Sequence, residues 1–288
     1  MNIQNHILKD GRKLSFCIYG KPDGESVFYF HGFPGSHLEV PLTGLIETSE
    51  KLNICLIAVN RPGYGDSDFQ KNRNLLDWPD DISELADSLG INKFSVHGYS
   101  GGGPYALACA YKIPARLKKV VVVSGMGPTK APGAKEVPSW LIIKWSGFMQ
   151  SVILKAMKKM VETNPYKFHS AMNKSLPKVD LDLLEKNNFK EDFVVVLKEA
   201  FKPGIKGVKQ DARIYKNLWG FQLKEITHPV YLWHGEDDAT VKLETAKYIT
   251  DELPNCIVKV YSNEGHLSLI FNKSKEIFAT FLEKANSK

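Results

Sequence analysis

The chain has 288 residues, 43% of them hydrophobic and 24% charged, with a formal net charge of +6, which is enough apolar material for one large core plus an insertion. It has no apolar run near the ~20 residues of a membrane span. The N-terminal Met1-Asn2-Ile3-Gln4-Asn5-His6 lacks the basic start and apolar segment of a secretory signal, and Cys17, Cys55, Cys109 and Cys256 show neither metal-ligand spacing nor a disulfide framework. These features argue against an integral membrane protein, a disulfide-stapled domain, a cysteine metal centre and a nucleic-acid module, and they predict buried free thiols in a reducing, cytoplasmic setting.

Asn5–Leu8 and Lys13–Tyr19 flank Asp10-Gly11 and predict a β-hairpin. Val27–Phe30 reads as a buried strand, stopped by the loop His31-Gly32-Phe33-Pro34-Gly35. Leu42–Leu52 reads as a helix. Asn53–Val59 reads as a strand, ended by Asn60-Arg61-Pro62-Gly63-Tyr64-Gly65-Asp66-Ser67. Ile82, Leu85, Ala86 and Leu89 fall at i, i+3, i+4 and i+7, an amphipathic helix closed by Gly90. A β-type run, Lys93–His97, then meets a helix-type run, Pro104–Tyr111, across Gly98-Tyr99-Ser100-Gly101-Gly102, and Val120–Val123 is the next strand. Alternating helices and continuously apolar strands predict an α/β fold: a mostly parallel central sheet of about eight strands with helices on both faces.

The rhythm changes after Gly125-Met126-Gly127-Pro128. From Thr129 to Lys224 the pattern is helical, with 18 Lys+Arg against 9 Asp+Glu, a balance of +9 that leaves −3 for the remainder. In Ser139–Glu162, Lys144, Lys155, Lys158 and Lys159 mark one helical face and Leu141, Ile142, Trp145, Phe148, Met149, Val152 and Ile153 the other. The lysines read as a solvated face, with an anionic substrate or membrane surface as the alternative. Asp180 is placed to cap Leu181–Glu185 and Asp192 to cap Phe193–Phe201, with a further helix at Val208–Trp219. The strand–helix alternation returns with Val230–Trp233, Leu243–Leu253, Ile257–Tyr261 and Ser274–Lys284. The expected organisation is a core over residues 1–128 and 225–288, interrupted by a helical unit over 129–224.

Parallel strands bring their C-terminal ends to one edge, where ligands bind. Gly98-x-Ser100-x-Gly102 between strand and helix has the context of a nucleophile elbow. A serine hydroxyl attacks only if a base takes its proton, and His266, after the last strand, is placed to do so. The other histidines read differently: His97 is buried within a strand, His31 and His234 belong to strand-end loops with other roles, and His6, His37, His169 and His228 lie away from the reactive edge. The imidazole needs an acid partner, and spacing leaves Glu236, Asp237 and Asp238 all open. Charge developing on a substrate oxygen needs preorganised donors, for which the Phe33 and Gly101 amides are candidates, with the Phe33 and Tyr99 side chains as candidate pocket walls.

Gly98-Tyr99-Ser100-Gly101-Gly102, His31-Gly32-Phe33-Pro34-Gly35, Asn60 to Ser67, Gly235-Glu236-Asp237-Asp238 and Gly265-His266 together resemble the α/β-hydrolase fold family in its serine-nucleophile, helical-cap branch. The likeness runs from about Gly11 to the C-terminus. It implies Asp238 as the acid, three residues after the strand-end glycine, and a helical cap inserted after the sixth strand, at Thr129–Lys224. Asn60 stands where members often carry Asp. Ser100 differs from the Asp nucleophile of the family's dehalogenases and epoxide hydrolases, and Phe33 from the glycine that the proline-iminopeptidase branch tends to carry. The implied activity is hydrolysis of a carboxylic ester or related acyl compound through an acyl-enzyme, with Ser100, His266 and Asp238 as catalytic residues and neither metal nor cofactor. The expected partner is a small hydrophobic acyl or aryl substrate, accepted by the apolar faces of the cap. Peptidase or amidase action, a ligand receptor that keeps the triad without turnover, and a peripheral membrane or scaffold protein docking through the basic cap remain alternatives.

Overall fold

A computed structural model of the chain describes residues 3–165, 176–185 and 189–283. One sheet holds eight strands, β1 (Gln4–Ile7), β2 (Lys13–Gly20), β3 (Glu25–Phe30), β4 (Ile54–Val59), β5 (Phe94–Tyr99), β6 (Leu117–Val123), β7 (Val230–Gly235) and β8 (Cys256–Tyr261), in the order β1-β2-β4-β3-β5-β6-β7-β8. β2 runs antiparallel to both neighbours, and every other pairing is parallel. The parallel centre accounts for the unbroken apolar runs: β4 and β5 are buried throughout, and in β6 only Lys118 is exposed. Side chains still divide by the two-residue strand period. Phe28 and Phe30 join the core on one face, with Ile57, Val96, Trp78 and Tyr105. Val27 and Tyr29 join the other, with Leu56, Tyr99, Val121, Trp233 and Phe278.

Helices Trp78–Ser88 and Gly103–Lys112 follow the expected spacing. The helix expected over Leu42–Leu52 is two, Glu39–Leu42 and Leu45–Lys51, because Gly44 between them takes a left-handed φ of +70°. The face expected over Ser139–Glu162 is likewise split into Trp140–Ile143 and Gly147–Thr163, with Gly147 at φ +62°. The following helices are Lys178–Leu184, Phe189–Phe201 and Lys206–Lys216. Asp180 and Asp192 do not cap their own helices; each lies inside a first turn that starts earlier, the first directly after Pro177. After β8 come His266–Asn272 and Ser274–Ala279, then a 3-10 turn Thr280–Leu282, rather than one helix to Lys284. His169 and Lys284 lie outside the described residues. Cys17, Cys55 and Cys109 are buried, Cys256 is half-buried, and none of the four is joined in a disulfide among the described residues. Among the described residues no helix is long and apolar enough to cross a membrane.

Candidate active site

β5 ends at Tyr99, and Ser100 opens a single 3-10 turn into the helix Gly103–Lys112 with φ +51°. That conformation costs a residue with a Cβ about 1–3 kcal/mol. Packing enforces it: a Cβ on Gly102 would fall on the Phe30 carbonyl oxygen, and one on Gly98 would lie 2.5 Å from the Gly102 carbonyl oxygen. The turn aims Ser100 Oγ at His266 Nε2, 2.9 Å away.

His266 Nδ1 lies 2.8 Å from Asp238 Oδ2, and Asp238 Oδ1 accepts from the Thr240 and Val241 amides at 2.8 and 2.7 Å. A carboxylate only accepts, so Nδ1 carries the imidazole proton and Nε2 is left as the acceptor toward Ser100. Burial pushes the His266 pKa down, but the charge and hydrogen bond of Asp238, with the charges of Asp180 and Glu39, more than reverse this and raise it above its ordinary value. Burial pushes Asp238 up, and the attraction of His266 outweighs it and holds the carboxyl below its usual range. Glu236 and Asp237, the other acidic candidates, point to solvent as exposed residues. His97 is buried among the Tyr29, Phe278 and Phe281 rings, and His234 Nε2 lies on the Val241 carbonyl.

The loop carrying Phe33 adjoins the turn carrying Gly101: a Cβ on Gly101 would lie 3.0 Å from the Phe33 nitrogen. Of four residues to which the sequence alone assigned no role, Glu39, Arg61 and Tyr215 bond to the backbone of this loop and turn, and Asp211 anchors Arg61. Glu39 accepts from the Gly32 amide at 3.0 and 2.9 Å and from Tyr29 Oη at 2.9 Å. Arg61 donates to the carbonyls of His31 and Gly32 on that loop, the second at 2.7 Å. Asp211 accepts from Arg61 Nε at 2.8 Å, Tyr64 at 2.9 Å, Tyr105 at 2.7 Å and Arg73. Tyr215, on the same helix as Asp211, donates to the Gly101 carbonyl at 2.8 Å. The available signal was the i, i+4 spacing of Asp211 and Tyr215 on a helix otherwise rich in Lys and Arg. Burial raises the Glu39 pKa to about 7 despite its hydrogen bonds. Burial also pushes Asp211 up, but Arg61 and Arg73 hold it down at about 2.

Two cavities meet at Ser100. The smaller, of about 110 Å³, is bordered by Glu39, Tyr99, Leu184, Phe193, His266 and Leu267. The larger, of about 650 Å³, is bordered by Met126, Val137, Ile142, Ile153, Met157 and Met160 among others, with no Arg or Lys among its described lining residues. Phe33, Pro34, Leu176 and Thr240 border both. Tyr99 also supports the histidine, its hydroxyl donating to the His266 carbonyl at 3.2 Å. Among the described residues no group of three or more His, Cys, Asp or Glu side chains is disposed to hold a metal ion.

A family model described as alpha/beta hydrolase fold matches residues 25–273. A 2-hydroxy-6-oxononadienedioate/2-hydroxy-6-oxononatrienedioate hydrolase of Paraburkholderia phymatum is 28% identical over 217 residues, covering 73% of this chain and 69% of that protein. A pimeloyl-[acyl-carrier protein] methyl ester esterase of Legionella pneumophila is 24% identical, covering 80% and 82%. Among solved structures, an esterase of Rhodococcus superposes with a TM-score of 0.71 at 17% identity, covering 97% of each chain.

Proposed function

The chain belongs to the α/β-hydrolase fold family, and from that premise we propose that it is a serine hydrolase cleaving a carboxylic ester with an apolar acyl group. One observation carries this reading: an unbroken hydrogen-bonded row from Asp238 through His266 to Ser100, ending where two cavities meet. Ser100 Oγ attacks the ester carbonyl carbon while its proton passes to His266 Nε2. The Phe33 and Gly101 amides hold the negative oxygen, a contribution of order 10²–10³ in rate per donor. Collapse breaks the ester C–O bond, and the leaving alcohol takes the proton from His266. Water, deprotonated by His266, then attacks the acyl carbon, releasing the carboxylic acid and restoring Ser100 to its hydroxyl form.

The larger cavity takes the acyl chain in this reading, and the helices between β6 and β7 form a cap over the site, the segment 129–224. The dioate named for the Paraburkholderia relative carries two carboxylates. Charged ends of that kind call for cationic partners, and the described lining of the large cavity holds none. That favours an ester over a dicarboxylate substrate. The mostly buried cysteines, with no disulfide among the described residues, fit a cytoplasmic location. The test is labelling by a fluorophosphonate probe, followed by a p-nitrophenyl ester panel of increasing chain length. Labelling of the wild type but not of Ser100→Ala, with kcat/KM rising with chain length, is the expected result. Equal labelling of both proteins sinks the proposal.

The outer face of the cap favours a second role beside this one. Leu141, Trp145, Phe148, Met149 and Val152 are exposed there, Phe148 at 83%, and Leu141 also borders the larger cavity. Exposed Lys144, Lys155 and Lys159 flank them. Apolar and basic side chains together favour docking on an anionic lipid surface that would feed acyl substrates into the site. Ser100→Ala protein should sediment with phosphatidylglycerol vesicles and lose that binding when Phe148→Asp is added. No sedimentation ends the docking role and leaves the hydrolase reading standing.

A further inference from the structure

We propose that Asp180, contributed by the cap, is a positioning residue for His266, so that the base is correctly held only while the cap is seated. The inference rests on the hydrolase reading above and adds a residue 86 positions away from the histidine in sequence. Asp180 is fully buried. Its Oδ2 accepts from the His266 amide at 2.9 Å, and its Oδ1 from the Leu267 and Ser268 amides at 3.1 and 2.9 Å. These amides open the turn that starts at His266, where no earlier carbonyl of the turn is available to them. The local sequence cannot satisfy them either: Gly265 has no side chain, and Ser268 Oγ is engaged as the acceptor for the Gly265 amide at 2.7 Å.

Gly265 is also what admits the carboxylate. A Cβ there would sit 2.5 Å from Asp180 Oδ2. The contact therefore joins a glycine next to the histidine to an acid on the helix Lys178–Leu184, which packs against His266–Asn272. Three amide hydrogen bonds to one charged acceptor fix the peptides from which the imidazole hangs. They complement Asp238, which fixes the ring itself. The charged groups facing His266 are Asp238, Asp180 and Glu39, with His234 behind Asp238. Asp180 therefore supplies both geometry and negative charge to the base.

Two variants separate the two contributions. Asp180→Asn keeps one oxygen acceptor and removes the charge; Asp180→Ala removes both. Each is assayed with a short soluble ester across pH, with the fluorophosphonate labelling rate and thermal unfolding measured in parallel. In Asp180→Asn the acid limb of kcat/KM should move to lower pH, because a histidine with less negative charge around it stays neutral further down. In Asp180→Ala the high-pH plateau of kcat should fall roughly 10–100-fold at near-constant KM, with the labelling rate falling in step, as expected for a base displaced by about an ångström. A wild-type acid limb in folded Asp180→Asn, or a loss confined to KM, overturns the proposal. Should Asp180→Ala not fold, Asp180→Ser, which keeps a short acceptor and no charge, takes its place: its kcat should fall below wild type at near-constant KM, and a wild-type kcat in the folded variant counts against the assignment. If the wild type neither turns over esters nor takes the label, the hydrolase reading fails by itself. NMR titration of the His266 ring then judges Asp180 separately, and an unchanged midpoint in Asp180→Asn refutes it.

Discussion

Tyr215 donates its hydroxyl to the Gly101 carbonyl at 2.8 Å, so the helix Lys206–Lys216, 114 residues further along the chain, steadies the residue that follows Ser100. Tyr215→Phe keeps the ring that packs edge-on against Phe33 with centroids 5.0 Å apart, and deletes only the donor. The stranded buried carbonyl should cost about 1–3 kcal/mol of stability. In the proposed reaction ester kcat should fall by up to about tenfold, since the Gly101 amide, the proposed oxyanion donor, loosens without being lost. Chemical denaturation and steady-state kinetics check the two numbers. An unchanged kcat would mean that the Gly101 peptide is held without Tyr215.

Asp211 is ion-paired with two buried arginines, Arg61 and Arg73, and only the Arg61 arm reaches the His31-Gly32 peptides. Asp211→Ala should therefore destabilise by about 3–5 kcal/mol, because both guanidinium groups lose a buried counter-charge. The melting temperature should drop on the order of 10 °C. The double variant Asp211→Ala with Arg61→Ala should lose less than the sum of the single losses. Additive losses in calorimetry would show that the two do not act as a pair.

The proposed ester hydrolysis needs neutral His266, and burial, which pushes its pKa down, is outweighed by Asp238, Asp180 and Glu39, which raise it above its ordinary value. The rate kcat/KM should accordingly rise with pH through a midpoint above that of an ordinary imidazole. Asp238→Asn removes the largest raising contribution, so that midpoint should fall while the plateau drops by about 10⁴, the size typical of losing the acid in such a site. A midpoint that stays in place would show that another group titrates.

Glu39 is the buried carboxyl that holds the Gly32 amide, and burial brings its folded pKa to about 7 against 4.5 when unfolded. Between those values the folded state binds more protons than the unfolded state, so stability falls as pH rises from about 4.5 to 7. The full effect is about 3 kcal/mol. Glu39→Gln keeps an oxygen for Gly32 and cannot ionise, so it should flatten this part of the stability–pH curve. An identical slope in urea titrations of the two proteins would rule Glu39 out as its source.

The strands were legible because burial on both faces writes continuous apolar runs such as Ile54–Val59 and Val120–Val123. The ends were less so: Gly44 and Gly147 look like ordinary interruptions in an apolar face, and only backbone dihedrals reveal that each one breaks a helix. Ser100 and His266 could be read from strand-end position. Asp238 needed the family likeness, because Glu236 and Asp237 are its chemical equals until burial separates them. Asp180 looked like a local helix cap and instead serves a turn 86 residues away.

The sequence by itself determined the alternation of elements, and with it the sheet edge to which Ser100, His266 and the acidic turn belong, because pleat and helix periods are local properties. The tertiary structure alone decided what holds them there. Arg61, Asp180 and Tyr215 act on peptides distant in the chain, Asp211 holds the Arg61 side chain from 150 positions away, and Glu39 reaches back seven residues to the Gly32 amide. A hydrogen bond of about 3 Å between distant positions leaves no periodic trace in the residues that make it, and it exists only once folding has brought donor and acceptor together.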